Sequence, residues 1–395
     1  MGGSVSSYHK HWCTVVCLAL SCIAAPLQSQ TPPERVVSPE VQADGSVIFR
    51  LNAPGADSAR VRGTFANGMI ANVDMTKNDT GIFEAHFGPI APDMYVYTYV
   101  VDGVSMLDPS NNVVVRDGSY IESRLIIPGD RVDLYDAKNV PHGILHTVWY
   151  PSPTIGTERR LIVYTPPGYA TSGRSYPVLY LLHGGGGDEE AWISRGRANY
   201  ILDNLIAAGS AQPMLIVMTN GIPANAAAPG DRPFFTDTGR TDTGGPAAMT
   251  TGQFEESLIE DVIPFIEGRY RVVADADHRA ITGLSMGGYH TQKITNAHPG
   301  TFSYIGVMSM GIYNRFGDYD AEVHKQQLRA LQASHPKLYW IACGKEDFLF
   351  EGVTELRALY DEVGFDYVYR ESEGGHSWNN WRLYLSEFAP MLFRD

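Results

Sequence analysis

Between residues 35 and 129, apolar and polar positions alternate in short runs: VIFRLNA (47–53), ARVRGTF (59–65), GIFEAHF (81–87), MYVYTYVVDG (94–103) and SRLIIPG (123–129). Clusters of Pro, Gly, Asn and Asp separate them. Period-two alternation fits strands with one face buried and one wet, and turns roughly every ten residues predict a β-sandwich. Residues 130–141 read as a linker. From 142 to 395 the texture changes. Near-continuous apolar runs such as PVLYLLHGGGG (177–187), PMLIVMTNG (213–221) and KLYWIACG (337–344) alternate with segments of helical period such as ANYILDNLIAA (198–208) and SLIEDVIPFIEGRY (257–270). Continuous apolar strands between helices predict a parallel sheet covered on both faces. Residues 221–253, rich in Gly, Ala, Pro and Thr, follow neither period; they read either as a rim over a site or as an insertion without structure of its own.

At the N-terminus, Lys10 precedes the apolar run WCTVVCLALSCIAA (12–25), after which Pro26 and polar residues stop any helix. The run has the length of a signal-peptide core and is short for a membrane span, so residues 1–29 are expected to direct export. A lipid anchor at Cys22 is the weaker version, since Ala19 stands where such sites prefer Leu. Removing this segment leaves Cys343 as the only cysteine, so no intrachain disulfide is expected. It also leaves 29 Lys and Arg against 44 Asp and Glu, a charge of −15. With no basic run anywhere, nucleic acid and anionic membrane surfaces are poor partners.

The most specific chemistry lies in Gly283-Leu284-Ser285-Met286-Gly287-Gly288, between a strand-like and a helix-like segment. A serine in that setting projects from a tight strand-to-helix turn, where it can act as a nucleophile if a base activates it. The chain order for such sites is serine, acid, histidine. His376, in the loop Glu373-Gly374-Gly375-His376-Ser377-Trp378, follows the last strand and is the expected base; His335 looks like a surface turn residue. Asp347 is the expected acid, with Glu346 in reserve, whereas Asp361 and Asp366 read as solvent-facing. Two backbone donors are needed for the oxyanion: Met286 N–H directly after the serine, and Gly185 N–H from His183-Gly184-Gly185-Gly186-Gly187. A phosphate cradle is the rival reading of the glycines, but no Lys-Ser/Thr follows and Asp188-Glu189-Glu190 would repel phosphate. No His, Cys and carboxylate cluster has metal-ligand spacing, and no cofactor is implied. Trp378 is a candidate substrate contact, although at i and i+3 Trp378 and Trp381 read better as packing residues.

The motifs YTPPGY (164–169), YPVLYLLHGGGGDEEAW (176–192), HRAITGLSMGG (278–288) and GGHSW (374–378) resemble the esterase-D branch of α/β-hydrolases, especially carbohydrate esterase family 1. Residues 35–127, through Val61-Arg62-Gly63-Thr64-Phe65 and Asp108-Pro109-Ser110-Asn111, resemble the early-set, immunoglobulin-like sandwich grouped with family 48 carbohydrate-binding modules. This stretch lacks Trp, the usual stacking platform for sugars; Tyr95, Tyr97 and Tyr99 share a strand face and read as a core stripe.

The resemblance implies an α/β-hydrolase fold over 142–395 behind the sandwich. It also implies an exported serine esterase that removes feruloyl or acetyl groups from xylan-type polysaccharide or its oligosaccharides. A siderophore trilactone esterase is the nearest alternative, but its anionic iron-loaded ligands match a chain of this charge poorly. A non-catalytic glycan-binding protein is the alternative of another class, and the complete Ser, Asp and His set argues against it.

Overall fold

The structure is a computed structural model that describes residues 1–3, 36–66, 69–231, 251–312 and 319–394. Apart from residues 1–3, the expected export signal lies outside the described residues, as do residues 232–250 of the aperiodic segment. The chain divides into Met1–Glu34 and a second unit, Arg35–Asp395, which holds everything that follows. No helix among the described residues is long and apolar enough to cross a membrane.

The alternating region forms ten strands: β1 (Glu40–Val41), β2 (Val47–Asn52), β3 (Ala59–Ala66), β4 (Met69–Asp74), β5 (Thr76–Lys77), β6 (Ile82–Phe87), β7 (Asp93–Val101), β8 (Val104–Met106), β9 (Val114–Asp117) and β10 (Tyr120–Ile127). They pair antiparallel into two sheets, ordered β1-β2-β6-β5 and β4-β3-β7-β10-β9, with β8 on the edge of β7. The alternation in β2 matches its burial, since Val47, Phe49 and Leu51 turn into the core. β7 departs from alternation for a tertiary reason. Tyr95, Tyr97 and Tyr99 fill the sandwich core, while Met94, on the opposite face, packs with side chains of the C-terminal region. Both faces are buried over residues 93–97, so the expected alternation is lost there. Asp108 joins this core by accepting from Tyr97 Oη at 2.7 Å.

The C-terminal region builds one eight-stranded sheet from β11 (Ile144–Ser152), β12 (Thr157–Thr165), β13 (Val178–Leu182), β14 (Leu215–Thr219), β15 (Arg279–Leu284), β16 (Tyr304–Met308), β17 (Leu338–Gly344) and β18 (Val368–Ser372). Their order is β11-β12-β14-β13-β15-β16-β17-β18. β11 and β12 run antiparallel to their neighbours and the rest are parallel. Helices cover both faces, and separate apolar clusters form on either side of the sheet. This is the α/β-hydrolase arrangement behind a β-sandwich. The edge strand β11 and the helix Ala321–Ala333 have no counterpart in the sequence reading. In β11 only every second residue from Val148 to Ser152 is buried, so the strand lacks the apolar run of its inner neighbours.

The sandwich is fastened to the hydrolase by a buried ion pair. Arg382, on the last helix Trp378–Phe388, donates to Asp93 Oδ1 and to the Met94 carbonyl, both at 2.8 Å. Tyr135 Oη donates to the same carboxylate at 2.6 Å. Despite burial, these partners hold the Asp93 pKa below the usual carboxylate range. Removing one partner of such a pair strands the other charge and costs about 3–5 kcal/mol. Arg382→Ala is therefore expected to lower unfolding stability by about that amount in urea titrations. A loss below about 1 kcal/mol would show that the pair does not fasten the two parts.

Candidate active site

Ser285 occupies the corner between β15 and the helix Met286–Ala297, with φ 52° and ψ −115°. A non-glycine residue held there costs about 1–3 kcal/mol and persists only when its surroundings fix it. Here Ser285 N–H donates to the Met308 carbonyl at 2.9 Å, and Tyr289 N–H to the Ser285 carbonyl at 3.0 Å. Close approach of the helix to β13 needs Gly287, where a Cβ would lie 2.7 Å from the carbonyl oxygens of Leu182 and His183.

Asp347 and His376 come from the turns after β17 and β18. Asp347 is buried, and its Oδ1 accepts from Leu349 N–H at 2.9 Å. His376 Nδ1 stands 2.9 Å from both carboxylate oxygens. Facing both oxygens of this one acceptor, Nδ1 carries the proton of the neutral imidazole and Nε2 keeps its lone pair. Neighbouring Glu346 is exposed, as are His335, Asp361 and Asp366. Ser285 Oγ makes no hydrogen bond among the described residues; this contact is often long before substrate binds. The imidazole lies edge-on to Trp381 at 5.0 Å between ring centroids and tilted against Phe348 at 4.4 Å. Phe348 is 74% exposed, an apolar surface that the sequence reading did not single out.

The glycine-rich loop passes beside the serine, since a Cβ on Gly184 would lie 3.5 Å from Ser285 Cβ. Gly185 is exposed, and neither its N–H nor that of Met286 finds a protein acceptor among the described residues. His183 starts the loop. Burial pushes its pKa down to about 4, so it is neutral, donating from Nδ1 to the Gly184 carbonyl at 2.7 Å and accepting at Nε2 from Gly221 N–H at 2.8 Å. The acids that close the loop are all paired. Arg116 contacts Asp188 and Glu190. Arg160 donates to Glu189 Oε1 at 2.6 Å and Glu190 Oε1 at 2.5 Å. Glu189 also accepts from Ala228 N–H at 2.8 Å and Asn220 Nδ2 at 3.0 Å. Arg159 donates to the carbonyls of Pro223, Asn220 and Ile222, so the first part of the aperiodic segment is packed against β12. Arg159 and Arg160 escaped the sequence reading. Their signal was two adjacent arginines at the head of the apolar run LIVY, because neighbours in a strand point to opposite faces.

Trp378 is buried, edge-on to both Trp192 and Trp381 at 5.2 Å between ring centroids, and its Nε1 donates to Asp117 Oδ2 at 2.8 Å. A cavity of about 210 Å³ lies alongside it, lined by Thr64, Asp117, His376 and Trp381 among others.

A serine on a strand-to-helix corner, with a carboxylate–imidazole pair on later loops of the same sheet, defines the hydrolase class. The chain belongs to the Esterase family, whose model matches residues 152–392, and is a carboxylic ester hydrolase. It is 31% identical over 363 residues to an endo-1,4-beta-xylanase/feruloyl esterase of Xylanibacter ruminicola, covering 90% of this chain and 46% of that protein. The chain thus spans about half the length of that relative. A solved ferulic acid esterase is 26% identical with a TM-score of 0.50, covering 63% of this chain and 98% of its own. The enterobactin esterase of Shigella flexneri, solved in the presence of enterobactin, covers 88% of this chain and 92% of its own at a TM-score of 0.64; at 16% identity it shows the fold alone.

His183 sets a pH dependence. Its folded pKa of about 4 lies below the ordinary 6.5, so the unfolded chain takes up the proton first as pH falls. Buried His324 is pushed down to about 4 in the same way. The stability they contribute is complete above pH 6.5 and is lost progressively toward pH 4, by up to about 3 kcal/mol for each. Tm is expected to fall between pH 6.5 and 5, above the ordinary carboxylate range. A flat Tm across that window would contradict neutral, buried histidines.

Proposed function

We propose that the chain is an exported serine esterase that removes feruloyl or acetyl groups from xylan-type polysaccharide or its oligosaccharides. The observation that carries the mechanism is the Asp347–His376 pair, whose geometry leaves Nε2 as a base on the loop that follows the last strand. Nε2 takes the Ser285 proton as Oγ attacks the ester carbonyl. Gly185 and Met286 N–H groups hold the oxyanion, and a donor of this kind is worth about 3–4 kcal/mol in the transition state. The imidazolium, steadied by Asp347, then protonates the leaving sugar oxygen as the C–O bond breaks. Water, deprotonated by Nε2, attacks the acyl-enzyme; the acyl C–Oγ bond breaks, the carboxylic acid leaves, and the imidazolium returns the proton to Ser285 Oγ.

The leaving alcohol must stand at His376, and exposed Phe348 offers its ring there to the C–H face of a sugar. Support for the substrate class comes from the names of the relatives, a xylanase/feruloyl esterase and a ferulic acid esterase. The net charge of −14 weighs against an anionic catecholate ligand.

Ser285→Ala is expected to lower kcat on methyl ferulate or p-nitrophenyl acetate by about four orders of magnitude or more while the fold persists. Unchanged hydrolysis would remove the mechanism. Rates compared on methyl ferulate, acetylated xylan and a catecholate trilactone test the substrate, and a clear preference for the trilactone would overturn the choice made above.

A further inference from the structure

The sandwich reaches the hydrolase site at one turn. Between β9 and β10 the chain reverses at Gly118, whose φ is +58° and where a Cβ would fall 1.7 Å from the Gly186 carbonyl oxygen. Only glycine fits against the glycine-rich loop at this point. Arg116 secures the turn, donating from its backbone N–H to Ser194 Oγ at 2.7 Å and from Nη1 to the Gly118 carbonyl at 2.9 Å, besides its contacts with Asp188 and Glu190. Asp117, between them, takes the Trp378 Nε1–H. Trp378 is wedged edge-on between Trp192 and Trp381, and Trp381 stands at 90° to the His376 ring. Trp192 Nε1 donates to the Leu182 carbonyl at the end of β13, just ahead of the glycines. One two-residue turn therefore touches both the loop expected to supply an oxyanion donor and the aromatic pair backing the expected base.

We infer that the Asp117-Gly118 turn of the sandwich is a positioning element of the esterase site, fixing the glycine-rich loop directly and His376 through Trp378 and Trp381. This rests on the serine-esterase reading above. The carboxyl group suits the task, because one oxygen accepts from the indole N–H while the other lies beside Gly187. Burial raises the Asp117 pKa above the usual carboxylate range, against the opposing pull of Arg195 and the Trp378 hydrogen bond. Displacing a supporting ring by a fraction of an ångström should act on the chemical step more than on substrate binding, since catalytic groups need tighter placement than binding surfaces.

The test compares Asp117→Ala, Asp117→Asn, Trp378→Phe and the Asp117→Ala/Trp378→Phe double variant in the full chain, with methyl ferulate and p-nitrophenyl acetate as probes. Asp117→Ala and Trp378→Phe should each lower kcat about tenfold with KM changed less than about twofold. Asp117→Asn, whose amide oxygen still accepts from the indole, should return kcat to within about threefold of wild type. The double variant should be no slower than the worse single variant, because both substitutions remove one bond. Glu122→Gln, which weakens a different sandwich–hydrolase contact to Arg195, should keep wild-type kcat and so separate positioning from simple docking. If Asp117→Ala does not fold, Trp378→Phe carries the test, since it removes the indole N–H and keeps an aromatic ring, though a smaller one. Folded single variants with kcat within about twofold of wild type, or a double variant whose loss is the product of the two, overturn the inference. A hydrolytically active Ser285→Ala would instead bring down the esterase mechanism beneath it, so the two failures are distinguishable.

Discussion

The site depends on how a loop without side chains is held still. His183-Gly184-Gly185-Gly186-Gly187 can approach a substrate carbonyl because it is mostly glycine, and for the same reason it has little with which to pack. Its far end is anchored by charge. Asp188, Glu189 and Glu190 meet Arg116 from the sandwich and Arg160 from β12, with Asn220 and Ala228 completing the shell of Glu189. Taking these groups out of water is costly, and burial still raises the Glu189 pKa against its partners. The gain is geometry: guanidinium–carboxylate pairs have a fixed fork, so three acids and two arginines set the direction in which the glycines leave. The same acids that make a phosphate cradle implausible in the sequence are the posts on which the loop is hung.

The corner at Ser285 follows from the same economy of small residues and fixed carbonyls. Ser285 is held off its favoured backbone angles by bonds to β16 and to its own helix, and Gly287 lets that helix lie against the start of the glycine loop. Asp347 and His376 need no comparable strain, because each leaves the end of a parallel strand, where an α/β sheet opens its crevice. Of these three residues only Ser285 has a positive φ, and the sheet holds it in place.

Much of this was legible because the signals were local. Unbroken apolar runs gave the inner strands, while the glycines around Ser285 and before His376 marked turns that only a tight backbone can make. What escaped was tertiary. Arg116 lies in β9, a four-residue strand that the sequence reading did not single out, and only the approach of Asp188 and Glu190 makes it an anchor. Arg159 and Arg160 look like solvent-facing charges until β12 is seen to be buried on both sides. β11 escaped because an edge strand with half its residues exposed carries a weak apolar signal. Phe348 gives no periodic signal at all; its exposure beside His376 exists only in three dimensions.

The sandwich and the hydrolase region are held by more than apolar packing. Their contact is directional as well as apolar: Arg382 to Asp93 at one end of the interface, Arg195 to Glu122 nearby, and Arg116, Asp117 and Gly118 at the glycine loop. Met94 enters the hydrolase core from the strand whose other face carries the sandwich tyrosines, so a shift of that strand would disturb both cores at once. A module meant only to carry the enzyme to its substrate could hang on a linker, with few contacts and free orientation. Here charged groups with fixed forks, a glycine in van der Waals reach of a carbonyl and an indole N–H on a carboxyl group all specify one orientation. That constraint makes sense if the site itself is built across the joint.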